Sequence, residues 1–90
     1  MGLNVSIQTI DGQYHPNWDD GKYHGDREIS AAVASAKPVI HWLDECNFVE
    51  RPTEFAAFRA FAWPDYNQER WTRLADILEN EPQFWIYYSV

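Results

Sequence analysis

Phe84-Trp85-Ile86-Tyr87-Tyr88-Ser89-Val90 decides how this chain folds. β-branched and aromatic side chains suit the pleated surface of a sheet, and few other segments of the chain hold so many in a row. Apolar residues fall on both faces of the segment, which describes a central strand rather than an edge. Its natural neighbour is the N-terminal segment. There Leu3, Val5, Ile7 and Thr9 alternate with Asn4, Ser6 and Gln8, the period of a strand with one face in the core and one in solvent. Pairing the two would tie the ends of the chain together.

Helices are expected between these strands. Before the C-terminal strand, Trp71, Leu74, Ala75 and Leu78 repeat at helical spacing. Asp65 with Gln68 resembles a capping box, Asn80 can close the helix, and Pro82 prevents its return. Earlier, Ile29, Ala32, Val33 and Ala36 make a second apolar stripe. Asp26 is its predicted N-cap, and Lys37 with Pro38 its stop. A third helix is predicted to contain Phe55, Ala56, Phe58 and Ala62, capped by Thr53 and ended before Pro64.

The remaining segments are shorter. Asp11-Gly12 predicts a tight turn leading into Gln13 and Tyr14, and Pro16 limits any strand there to an edge. Residues 15–25 carry no period. Val39 to Leu43 is a short apolar run whose β-branched start favours a strand, with His41 expected to be hydrogen-bonded in the core. The expectation is a single α+β domain over residues 1–90. Its small, mostly antiparallel sheet of two to four strands includes both terminal strands and packs against two or three helices.

Composition narrows the function. Five Trp, five Tyr and five Phe among ninety residues supply enough apolar bulk for a folded core. Fourteen acidic residues against seven basic ones leave a formal charge of −7, scattered rather than clustered. Nucleic-acid binding ordinarily neutralises phosphates with grouped Lys and Arg, so direct binding to DNA or RNA is not expected. Nothing resembles a secretory leader, and no run approaches a membrane span, so a cytoplasmic, membrane-free setting is expected. The lone Cys46 has Asp44 and Glu45 beside it, which discourages a thiolate; a buried or half-buried structural thiol is expected.

The densest gathering of chemically capable side chains lies in residues 14–28. Candidate binding residues are Tyr14, His15, Trp18, Asp19, Tyr23, His24, Asp26 and Arg27. Imidazole with carboxylate suits a transition metal or a general acid–base pair. The spacing, however, matches no ligand motif, and no nucleophile elbow, phosphate loop or dinucleotide fingerprint occurs. No catalytic residue, metal or cofactor is therefore assigned.

Met1-Gly2-Leu3-Asn4, Gly12, His15-Pro16, Trp18-Asp19, Gly25-Asp26-Arg27-Glu28 and Trp85-Ile86-Tyr87 together resemble a group of small uncharacterised bacterial proteins. That resemblance implies a bacterial origin and a fold, and no activity.

The function expected from the residues is a non-enzymatic, acidic interaction protein of the regulator, immunity or inhibitor type. It would contact another protein through an acidic aromatic surface, and homo-oligomerisation through exposed aromatics is compatible with that reading. The alternative is a small metal-dependent or acid–base enzyme using the His15–Glu28 segment.

Overall fold

The computed structural model of the chain describes residues 4–18, 26–63 and 68–89. Four strands and three helices follow one another as β1 (Asn4–Gln8), α1 (Asp26–Ala34), β2 (Val39–Trp42), β3 (Asn47–Arg51), α2 (Phe55–Ala60), α3 (Gln68–Asn80) and β4 (Trp85–Ser89). The strands form one antiparallel sheet in the order β1-β4-β3-β2. β4 is central, as its apolar character on both faces demanded. β1 pairs with it from Asn4↔Ser89 to Gln8↔Trp85, which joins the two ends of the chain.

The helices cover one face of this sheet. Val5, Ile7, Ile86 and Tyr88 share a single buried cluster with Ile29 and Val33 of α1, Phe58 of α2, and Trp71, Leu74 and Leu78 of α3. The stripe of α1 is buried throughout, Ile29, Ala32, Val33 and Ala36 alike. α1 opens at Asp26, whose side chain falls outside the described set, and the chain leaves it through Lys37 at φ 50°. That left-handed turn ends the helix, as Pro38 behind it requires. α3 buries the stripe read from its sequence, and Asn80 turns its amide back onto the Asp76 carbonyl at 2.9 Å. The predicted cap at Asp65 lies outside the described residues.

Several local expectations are corrected. The outer face of β1 is not in solvent: Ser6 and Gln8 are buried. They stand opposite Tyr87 and Trp85 in register, and Gln8 is bridged on its other side by Tyr14, so large neighbours exclude water from both. Tyr14 reaches that position through the turn foreseen at Asp11-Gly12, where Gly12 adopts φ 97° and its amide reaches the Thr9 carbonyl at 3.0 Å.

Thr53 does not cap α2. Glu54 holds the N-cap position without a side-chain bond, while the Thr53 hydroxyl reaches the Ala36 and Lys37 carbonyls just beyond α1, the former also accepting the Thr53 and Glu54 amides. α2 also stops at Ala60, short of Ala62. β3, which sequence periodicity did not indicate, completes the sheet between β2 and β4.

Candidate functional site

The structure divides the sequence-predicted site residues. His15 is buried, with both ring nitrogens engaged. Nδ1 accepts the Asn17 amide at 3.1 Å, so the ring proton sits on Nε2, which donates to Glu81 at 3.0 Å. The ring also packs edge-on against Phe84 at 4.7 Å. Neither nitrogen is open to a substrate or a metal.

Trp18 is buried too, and the Arg70 guanidinium lies 4.6 Å from its ring centroid. Arg70 is itself buried, stacked on Trp71 at 4.8 Å on another side. These contacts fasten residues 15–18 to α3 and to the approach of β4. Tyr14 and Arg27 are exposed. Asp19, Tyr23, His24 and the Asp26 side chain lie outside the described residues, and with them most of the acid–base alternative. Among the described residues no three His, Cys, Asp or Glu side chains converge as metal ligands would.

A different surface stands out. Val39, Ile40, Trp42 and Leu43 are 45%, 47%, 63% and 40% exposed, on the strand that ends the sheet. An edge strand whose exposed apolar residues flank a single His41 presents outward backbone groups together with sticky side chains, which proteins ordinarily avoid. The buried cluster draws its sheet residues from β1 and β4, with Phe48 of β3 packed against it. On the helix side, rings descend from solvent into the core: Trp42 lies 4.7 Å from Phe48, and Phe48 stacks on Tyr88 at 4.9 Å. On the other side His41 meets Trp85 edge-on at 4.8 Å. His41 is therefore an exposed residue of this edge, not the core histidine expected from its apolar neighbours.

The backbone of the edge can be read residue by residue. β2 pairs with β3 from Val39↔Arg51 to Trp42↔Phe48, and just beyond, the Leu43 amide donates to the Asn47 carbonyl at 2.9 Å. Antiparallel ladders alternate, so Val39, His41 and Leu43 direct their amides and carbonyls toward β3. Ile40 and Trp42 direct theirs outward.

The hairpin tip beside this edge is acidic and hydrogen-bonded within itself. Asp44 Oδ1 accepts the amides of Cys46 at 2.8 Å and Asn47 at 2.9 Å, and the Asn47 side chain as well. The Cys46 amide foremost, then the Asn47 side chain, hold the Asp44 carboxyl below its ordinary pKa, so it stays ionised. Glu45 and Cys46 are exposed beside it, and the thiol is thus not the buried one expected.

A shallow cleft beside α2 and α3 is lined by Arg59, Trp63, Gln68, Trp71, Thr72 and Ala75. Its cation is committed: Arg59 bonds Asp76 at 2.8 Å and Glu79 at 2.7 Å. No family model, curated protein or solved structure matches the chain.

Proposed function

We propose that this chain is a non-enzymatic binding protein that meets another polypeptide by strand addition along β2. The observation that carries the reading is the exposure of Val39, Ile40, Trp42 and Leu43 on a terminal strand whose outward backbone groups belong to Ile40 and Trp42. In strand addition, main-chain hydrogen bonds provide affinity and alternate side chains provide selectivity. Trp42 is the natural anchor, a large amphipathic ring presented at the rim of the core. The ionised Asp44 and exposed Glu45 favour an incoming strand with a basic residue at the end that meets the tip.

Two variants test this. Ile40→Pro removes an outward amide without touching the β3 ladder, and proline is tolerated on sheet edges. Trp42→Lys places a charge where the anchor sat. Polypeptides retained by the immobilised chain, both from a host extract and from a solution of the free chain itself, are to be quantified for the parent and for both variants. The reading expects a species held by the parent and lost from both, with thermal unfolding of the variants unchanged. Equal retention by all three would overturn it.

A further inference from the structure

We infer that the strand received by β2 is the β2 of a second copy, paired antiparallel about a two-fold axis at His41. The inference rests on reading β2 as the binding edge and specifies its occupant.

Self-pairing across a two-fold axis keeps each side chain on its own face of the joined sheet, so only a few registers are available. Aligning His41 with His41 of the second copy sets Ile40 opposite Trp42, and Trp42 opposite Ile40. Those are the residues whose amides and carbonyls face outward, so each facing pair exchanges two hydrogen bonds and the edge is satisfied in full. The same register sets Val39 opposite Leu43. Every exposed apolar side chain of the edge thus meets an apolar partner: Ile40 meets Trp42 on the helix side, and Val39 meets Leu43 on the other.

Charge agrees with this alignment. Lys37 precedes β2, and Asp44 and Glu45 follow it; all three are exposed. Antiparallel pairing brings the beginning of one strand to the end of the other, so Lys37, which already pairs with Glu54 of its own chain at 3.0 Å, approaches the acidic tip of its mate. Parallel pairing would align like with like. Neighbouring registers fare worse. Setting Ile40 against Ile40 brings Pro38, which has no amide hydrogen, opposite Trp42. Setting Trp42 against Trp42 brings the Asp44 carboxylate against Ile40.

The helix layer does not obstruct the approach, because it leaves Trp42 63% exposed. β1 is already occupied at one end, where Tyr14 bridges Gln8 and the His15 amide donates to the Ile7 carbonyl at 3.0 Å. Joining two β2 strands would yield a continuous eight-stranded sheet, twice the four strands of one copy.

The experiment combines sedimentation with cysteine cross-linking of the full chain in near-physiological salt, which screens the repulsion between two −7 chains. The parent is expected to double its mass with rising concentration, and Ile40→Pro is expected to remain monomeric. In a Cys46→Ser background, His41→Cys is expected to form an intermolecular disulfide with oxidised glutathione. The facing Cα atoms of such a non-hydrogen-bonded pair lie ~4.5 Å apart, within disulfide reach. Ile40→Cys, facing Trp42, is expected to cross-link far more slowly. Faster cross-linking through Ile40→Cys than through His41→Cys would overturn the register. A parent that stays monomeric at every concentration would overturn self-pairing, and if Ile40→Pro still loses a heterologous partner, the edge reading stands without it. A dimer that persists in Ile40→Pro would show that the association lies elsewhere and overturn the inference.

Discussion

His15 Nε2 and Glu81 Oε2 lie 3.0 Å apart across 66 residues of sequence, and this pair holds the segment after the first turn against the end of α3. The imidazole is buried while the carboxylate is partly exposed, so the histidine carries most of the packing and the glutamate mainly orients it. His15→Ala is expected to lose about 2–3 kcal/mol, from the lost ring contact with Phe84 and the unpaired Asn17 amide. Urea unfolding measures it. A loss below about 0.5 kcal/mol would mean that the segment is held by other contacts.

Arg70 gives a second, independent hold, with its guanidinium 4.6 Å from the Trp18 ring centroid and 4.8 Å from that of Trp71. A planar cation stacks where an ammonium cannot, so Arg70→Lys is not conservative here. The expected cost is on the order of 1–2 kcal/mol, read as a lower thermal midpoint. An unchanged midpoint would show that any buried cation suffices.

Glu50 faces the helix side of the sheet, where burial raises its pKa above the ordinary carboxylate value while a hydrogen bond with Tyr88 opposes the shift. A raised carboxyl pKa means that the folded chain retains a proton the unfolded chain has already released. Stability is therefore expected to fall as pH rises from the ordinary carboxylate value through the raised one, with the penalty complete above it. Glu50→Gln removes that charge and keeps an acceptor for Tyr88. The variant is expected to gain on the parent at pH 7 and to lose that advantage in acid. Parallel pH profiles for the two proteins would rule the coupling out.

Two tryptophans make a controlled contrast. Trp71 is 2% exposed, within the central cluster and stacked on Trp63 at 4.8 Å, so Trp71→Ala is expected to cost about 3–5 kcal/mol. Trp42 is 63% exposed and meets the Phe48 ring at 4.7 Å; Trp42→Ala is expected to cost under about 1 kcal/mol. Binding should respond in the opposite order. Comparable losses of stability in the two variants would place Trp42 in the fold rather than on an interface.

Periodicity in the sequence was enough to mark β1, α1 and α3, and the density of β-formers to mark β4, because the spacing of Val5 and Ile7, or of Trp71, Leu74 and Leu78, is a local property of the chain. The central place of β4 was legible for the same reason, since its apolar residues occupy both faces. What periodicity could not convey is which faces are covered. Ser6 and Gln8 read as a solvent face, yet Tyr87, Trp85 and Tyr14 close over them. His15 and Trp18 read as loop residues free to bind, yet Glu81 and Arg70, distant in sequence, draw them inward. Val39 to Leu43 read as a strand with His41 in the core, and the strand was correct while the burial was not. A short apolar run has the same appearance whether its strand lies inside a sheet or at its margin. Only the strand order, with β4 and β3 taking the interior, places β2 at the margin of the sheet, where its apolar side chains stay exposed among the described residues.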